Sequence, residues 1–342
     1  MAAAPEGPSL ADLGEWQLIH RLAAFAPAGQ FDDDAALLTC GGPLVVTSDV
    51  LVEGVHFSDA TTAGFDVGWR AAAANLSDLA AMGCTGALGL TVGLVAPGAT
   101  PWPWVEAVYT GLQACVERQG GVVLGGDCSG GAQRLLAITA LGNLPRGTSG
   151  EPQAIRRRDG RPGDLLVCTG PHGLSRLGLA LLQPEGQLER LELPQALIER
   201  ALERHQRPCP RFDAVRALRC QQPRGTSWRV AGTDSSDGLA AAAAAIARSS
   251  GCRALLDHRR LPLDPAMAAL AQAEAWCLGG GEDFELVLAL EAPWAEALVQ
   301  HLPGSAVIGA LVEATGDRQH LAWLGEQDRP LPGDSGGYEH FS

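Results

Sequence analysis

The stretch Leu44-Val45-Val46-Thr47-Ser48-Asp49-Val50-Leu51-Val52-Glu53-Gly54-Val55-His56 decides how the chain is read. Its first three residues form an apolar run suited to a buried strand. Three oxygen-bearing side chains follow, Thr47, Ser48 and Asp49, where that strand is expected to end. Just upstream stand three consecutive carboxylates, Asp32, Asp33 and Asp34. Two carboxylates about 4 Å apart repel by roughly 4 kcal/mol at an effective dielectric near 20. Acidic groups gathered beside a strand end need open solvent or a bound cation, and the rest of the sequence favours the cation.

At 342 residues the chain is long enough for a large core and two domains. Its formal net charge of −14 argues against nucleic acid or an anionic membrane as the main partner. A small anionic substrate is still compatible if metal ions accompany it. All 25 Lys-or-Arg positions are arginine. That excludes a P-loop lysine, a protein-kinase strand lysine and a Schiff base. Phosphate handling must then rest on arginine, backbone N–H groups or metals. Nine scattered cysteines without a Cys-x-x-Cys pair read as reduced thiols in a cytoplasmic protein, most of them small buried hydrophobes. The opening MAAAPEGPSL has no basic region before an apolar core, so no signal peptide is expected. No uncharged apolar run is long enough to span a bilayer.

Working outward, apolar spacing predicts a helix over Asp12–Phe25, with Asp12 as its cap and Pro27 as its stop. Ala35–Leu38 and Leu44–Thr47 read as paired strands around Gly41-Gly42-Pro43. A long Ala-rich helix over Phe65–Met82 carries Asn75, Ser77 and Asp78, and Gly83 closes it. Further on come a strand at Ala87–Val95, a helix at Pro103–Gln119, a short strand at Gly121–Leu124 and a strand at Arg134–Leu141. The Pro, Gly, Ser and Arg content between Pro145 and Arg161 marks a boundary, giving domains of 1–147 and 148–342. The second half reads as strands at Asp164–Thr169, Val230–Thr233 and Phe284–Leu290, with a poly-Ala helix at Leu239–Ser249. The class is α/β or α+β in two domains.

The acidic groups recur at strand ends: Asp49, Asp127 after Gly125-Gly126, and Asp234 with Asp237. Such ends place side chains at a rim where ligands dock. Asp78 stands inside an apolar helix, which is costly unless it is paired. Singly each has an ordinary reading, as a cap, a turn or an ion pair; the set is what carries weight. No His-Glu-x-x-His or Cys/His spacing suggests zinc. Carboxylates and hydroxyls suit a hard cation, Mg²⁺ first, held partly by substrate phosphates. Glycine turns can offer N–H groups to phosphate oxygens, and Arg157 and Arg211 can add forked contacts. The chemistry this points to is phosphoryl transfer.

TSDVLVEGVHF at 47–57, NLSDLAAMG at 75–83, GVVLGGD at 121–127, DSSDGL at 234–239 and GGEDFEL at 280–286 together resemble the thiamine-monophosphate kinase family. That family is related to aminoimidazole ribonucleotide synthetase and selenophosphate synthetase. The resemblance implies an N-terminal domain whose mixed sheet pairs across a homodimer, and a C-terminal α/β domain that completes an ATP cleft. It implies magnesium ligands at Asp34, Thr47, Ser48, Asp49, Asp78, Asp127, Asp234 and Asp237, of which Asp49, Asp127 and Asp237 would serve catalysis. ATP would meet Tyr109, Gly126, Asp127, Arg157 and Ser236; thiamine monophosphate would meet His56, Glu282 and Tyr338.

The implied reaction passes the ATP γ-phosphoryl group to a phosphate that is already ionised, so no general base is needed. Metal ions would screen the repulsion between the two anions. The chain departs from the family pattern at Asp32, at Cys128-Ser129-Gly130, at Gly173-Leu174 and at Ala242. Two alternatives stay open: a related enzyme with another acceptor, and a non-catalytic Mg-nucleotide binding protein. Selenophosphate synthesis would want a cysteine before Asp32, and none is there.

Overall fold

The structure is a computed structural model, described over residues 7–31, 35–148, 150–183, 193–314, 319–325 and 331. Two compact units divide it: Met1–Leu79 with Gly86–Asn143, and Ala80–Thr85 with Leu144–Ser342. The class is mixed α/β, as the sequence predicts, and each unit has its own sheet.

The first unit contains α1 (Leu10–Leu22), β1 (Leu44–Val52), α2 (Gly64–Ala81), β2 (Gly89–Ala96), α3 (Trp102–Glu117), β3 (Val122–Gly130) and β4 (Leu135–Asn143). Ser9, not Asp12, caps α1: its hydroxyl accepts the Asp12 N–H, while the Asp12 carboxylate accepts from the Ser9 amide. This reciprocal pair satisfies two donors that a helix start leaves open.

The sheet order is β1-β4-β2-β3, with β2 and β3 parallel and the other neighbours antiparallel. Residues 35–43 form no strand, so the expected local hairpin is absent. The partner of β1 is β4 instead, with Leu44 opposite Asn143 and Asp49 opposite Ile138. Nor does β1 stop at the polar residues. Side chains alternate across a strand, so Thr47, Asp49 and Leu51 share the more buried face, while Leu44, Val46, Ser48 and Val50 share the exposed one. β3 likewise runs through Gly125-Gly126-Asp127 rather than ending at Leu124. A Cβ at Gly126 would stand 2.0 Å from the Val92 carbonyl oxygen, so glycine is what lets the strand lie there.

Helices α2 and α3 cross backbone to backbone. A Cβ at Gly68 would meet the Val108 oxygen at 1.8 Å, and one at Gly111 would meet the Phe65 oxygen at 1.9 Å. That close crossing fixes α2, the helix that faces β1.

The second unit contains β5 (Leu165–Cys168), α4 (Leu174–Leu182), α5 (Gln195–Gln206), α6 (Phe212–Cys220), β6 (Ala231–Asp234), α7 (Leu239–Ser249), β7 (Cys252–Leu256), α8 (Ala273–Gly279), β8 (Leu286–Leu290), α9 (Ala292–His301), β9 (Ala306–Glu313) and β10 (Leu321–Trp323). Its sheet order is β10-β7-β9-β5-β8-β6. The Ala-rich α7 packs on the sheet, its alanines meeting Leu166, Val287 and Ile308 in one buried cluster. A second cluster joins Leu174 and Leu177 of α4 to Leu197 and Ala201 of α5. Among the described residues no helix is long and apolar enough to cross a membrane.

Candidate active site

One acidic corner forms where α2 faces β1. Thr47 donates its hydroxyl to Asp78 Oδ2 at 2.5 Å. Two residues along the strand, the Asp49 amide donates to Asn75 Oδ1 at 3.0 Å, and Asn75 in turn donates to the Ala71 carbonyl at 3.0 Å. Asn75 and Asp78 are three apart and share one helix face, while Thr47 and Asp49 share one strand face. Periodicities of helix and strand therefore bring two carboxylates and a hydroxyl to one place. Ser48 points the other way. Its hydroxyl donates to the Ile138 carbonyl at 2.9 Å and accepts from Thr139 at 3.2 Å.

Asp127 does not join this corner within one chain. β1 and β3 are opposite edges of the sheet, three strand spacings apart, or roughly 14 Å. Tyr109 is buried on α3, its ring 5.6 Å from that of Phe25. Burial raises its pKa, and the nearby Cys128 thiol raises it further. Cys128 itself is pushed up to about 11, by burial first and then by the Asp127 charge.

Just after β1, the loop at 53–59 carries His56. The His56 Nδ1 accepts the Val52 amide proton at 3.0 Å, and its carbonyl accepts from Arg70 at 3.4 Å. Phe57 is buried, its ring stacked at 6.2 Å on Trp104.

In the second unit two loops lie side by side. β6 ends at Asp234, which is buried, and the exposed Ser236 and Asp237 follow. Arg157 donates from Nε to Thr233 at 3.1 Å, so it stands beside the same strand end. The Ser235 amide donates to the Glu285 carbonyl at 2.9 Å, and the Glu282 amide donates to the Ser236 carbonyl at 2.7 Å. His172 Nε2 lies 2.8 Å from the Ser235 hydroxyl. Glu282 and Phe284 hold positive φ of 57° and 51°, a region that side chains other than glycine enter only when the surroundings enforce it. Three things enforce it here. Asp283 accepts the Gly173 and Ser175 amides at 2.7 and 3.0 Å, at the start of α4. Glu285, fully buried, pairs with Arg211 and with Arg204 at 3.1 Å and accepts from Thr169 at 2.7 Å. His205 lies 3.8 Å from the Glu282 carboxylate. Arg211 also pairs with Asp213 at 2.9 Å. The forked phosphate contact expected of Arg211 is therefore corrected: its guanidinium is buried and engaged within the protein.

Against known families, the model for "AIR synthase related protein, N-terminal domain" matches residues 32–144, and that for the C-terminal domain matches 161–320. Over 305 residues the chain is 46% identical to the thiamine-monophosphate kinase of Prochlorococcus marinus, covering 89% of this chain and 90% of the relative. The chain belongs to the thiamine-monophosphate kinase family. Among solved members, the enzyme from Stenotrophomonas maltophilia K279a is 33% identical with a TM-score of 0.74, covering 91% of this chain and 96% of that one. A second, AaThiL complexed with AMPPCP and TMP, is 27% identical with a TM-score of 0.72, covering 96% and 97%.

Within this family reading, the acidic corner passes the test for magnesium chemistry. Thr47, Asp49 and Asp78 offer oxygen only, the donor type that suits Mg²⁺. Among the described residues no three or more His, Cys, Asp or Glu side chains group so as to hold a metal by themselves. Asp34 and Tyr338, two further expected family positions, lie outside the described residues. Sequence reasoning missed Asn75 as a holder of the Asp49 backbone, and it missed His172, His205 and Arg134. For Asn75 a signal existed, its three-residue spacing from Asp78. The others act on residues tens of positions away and leave no local trace.

Proposed function

We infer that the chain is a Mg²⁺-dependent kinase that transfers the ATP γ-phosphoryl group to thiamine monophosphate, giving thiamine diphosphate and ADP. The observation that carries this is the oxygen-only corner of Thr47, Asp49 and Asp78, in a chain 46% identical to a thiamine-monophosphate kinase over nearly its whole length. Magnesium at this corner would neutralise the charge that gathers on the transferring phosphoryl group. The protein's own part is positioning. Thr47 orients the Asp78 carboxylate, Asn75 fixes the Asp49 backbone, and Arg157 lies beside the Asp234–Asp237 turn. With no lysine in the chain, this charge management has no ammonium group to draw on. Transfer is direct, without a phosphoenzyme, because the acceptor phosphate is already an anionic nucleophile.

The magnesium set is then Asp34, Thr47, Asp49, Asp78, Asp127, Asp234 and Asp237, with Ser48 able to join only through its backbone, since its hydroxyl is turned to the Ile138 carbonyl. Tyr109, Gly126, Arg157 and Ser236 would serve ATP, and His56, Glu282 and Tyr338 thiamine monophosphate. The enzyme so read is a cytoplasmic homodimer. Two observations favour the dimer: among the described residues β1 and β3 are the outer strands of their sheet, and the outer face of β1 exposes Leu44, Val46 and Val50. A second copy whose β3 edge meets the β1 edge of the first would bring an Asp127 toward Asp49. All nine cysteines are free thiols, in keeping with a reducing compartment.

The direct test supplies ATP, Mg²⁺ and thiamine monophosphate and looks for thiamine diphosphate. Asp49→Asn keeps the volume and the backbone contact to Asn75 but weakens a metal ligand. Turnover is expected to fall by about 10²–10³-fold, in line with loss of a group that stabilises transition-state charge, with little change in thermal unfolding. Undiminished turnover would remove Asp49 from the metal set; product from a different acceptor alone would replace the substrate.

A further inference from the structure

Arg134, the residue before β4, has no part in the function proposed so far, yet it is tied to the His56 loop at several points. Its guanidinium, mostly buried, pairs with Glu53 and with Asp59 at 2.8 Å. These two carboxylates stand at the two ends of the loop 53–59. The backbones add to the joint: the Arg134 amide donates to Glu53 Oε2 at 3.1 Å, and the Glu53 amide donates to the Arg134 carbonyl at 3.0 Å. The guanidinium also lies 4.6 Å from the centre of the Trp104 ring, and Phe57 of the loop stacks on that same ring. One side chain thus clamps the loop by charge at both ends and, through Trp104, by packing in the middle. The clamp has an electrostatic signature. The hydrogen bond from Arg134 holds the Glu53 carboxyl below its ordinary value, against the opposing effect of burial.

The consequence falls on His56. An amide N–H can only donate, so the Val52 contact requires a lone pair on Nδ1. The ring is then neutral, with its proton on Nε2. That geometry survives only while the loop keeps its turn, since His56 reaches back four residues to Val52.

We propose that Arg134 is a positioning residue for substrate binding, stapling the loop 53–59 so that the His56 ring is held in one orientation for thiamine monophosphate; this rests on the reading of His56 as a substrate contact. Lysine cannot replace it, because an ammonium group lacks the planar fork that spans two carboxylates and stacks on an indole.

The test compares Arg134→Lys, His56→Ala and the double variant, with thermal unfolding as the check on folding. Arg134→Lys is expected to raise KM for thiamine monophosphate by about tenfold, the loss of one charge-assisted contact, with kcat and KM for ATP changed less than about twofold. In the double variant KM should equal that of His56→Ala, because Arg134 acts through the ring. Ring ¹⁵N spectra should show a single Nε2–H tautomer in the wild type and a tautomer mixture in Arg134→Lys. If Arg134→Lys fails to fold, Glu53→Gln carries the same comparison, since its side chain is 31% exposed. An unchanged KM for thiamine monophosphate with an unchanged ring spectrum overturns the proposal, as does an effect that adds in full to that of His56→Ala. If His56→Ala itself leaves KM unchanged, the substrate reading of His56 falls instead. The ring spectrum of Arg134→Lys then decides alone whether Arg134 fixes the loop.

Discussion

Two short loops carry the candidate contacts to thiamine monophosphate, His56 at 53–59 and Glu282 at 280–285, and they are held by opposite means. The first is stapled from outside, by one guanidinium reaching two carboxylates that are 31% and 69% exposed. Its one positive φ, 80°, falls on Gly54, where a glycine takes it without strain. The second is strained at Glu282 and Phe284 and held from within, by Asp283 and Glu285, which are 1% and 0% exposed. An exposed staple is weak per contact, screened by salt and sensitive to acid. A buried network is strong only while complete, since removing one member leaves a charge without water or partner. The first loop therefore depends on one guanidinium and on salt and pH, while the second depends on a buried network staying complete.

The largest expected effect comes from breaking the inner network. Glu285→Ala would leave the buried Arg211 with the Asp213 carboxylate and the Thr169 carbonyl, and the Thr169 hydroxyl without its acceptor. Loss of one partner from a buried ion pair costs about 3–5 kcal/mol. Chemical denaturation should show a loss of that size, and KM for thiamine monophosphate should rise as Glu282 loses its enforced conformation. A loss below about 1 kcal/mol, the scale of exposed pairs, would erase the distinction between the two loops.

Acid should separate them next, and in opposite directions. The folded-state pKa of Glu53 is depressed, chiefly by its hydrogen bond from Arg134. Its contribution is therefore present above the unfolded value and lost as pH falls through the folded one. The pKa of Asp283 is raised, chiefly by burial. There the folded state binds the proton more readily than the unfolded state, so stability gains as pH falls through the raised value toward the unfolded one. Relative to Glu53→Gln, the wild type should lose its advantage in the acid range below about pH 4. Relative to Asp283→Asn, it should gain as pH falls. Denaturation at a series of pH values reads both gaps, and gaps that move together would break the comparison.

The same contrast governs what was legible in the sequence. The helices α2, α3 and α7 showed their periodicity directly, and the family motifs brought Asp49, Asp78, Asp234 and Glu282 into view. The strand ends were less visible. Thr47-Ser48-Asp49 and Gly125-Gly126-Asp127 look like exits from a strand because they are polar or flexible. In fact β1 and β3 continue through them, since alternation turns Asp49 toward α2 and Gly126 fits beneath the Val92 carbonyl. The strand expected at Ala35–Leu38 has no counterpart because β1 finds its partner at Leu135–Asn143, some ninety residues on. β7 and α8 went unread; at 5 and 7 residues each is too short to show its period, although a glycine adjoins each. The groups that hold both loops, Arg134, His172, His205 and Glu285, are tied to partners 30 to 116 positions away. No local pattern encodes such a tie.

The smallest effect tests the exposed limb of the staple. Asp59 lies 2.8 Å from Arg134 with 69% of its side chain in solvent, so Asp59→Asn removes one charge and leaves Glu53 and Trp104 in place. Pairs of this exposure contribute about 0.2–1 kcal/mol. KM for thiamine monophosphate should therefore rise by less than about fivefold at low salt. At about 1 M salt, where the screening length falls to roughly 3 Å, the difference from wild type should vanish. Glu285→Ala should keep its full cost under the same salt, because no counter-ion reaches a side chain with no exposed surface. If salt left the Asp59→Asn effect intact, the contact would be acting through packing on Trp104 rather than through charge, and the two loops would differ in depth but not in kind.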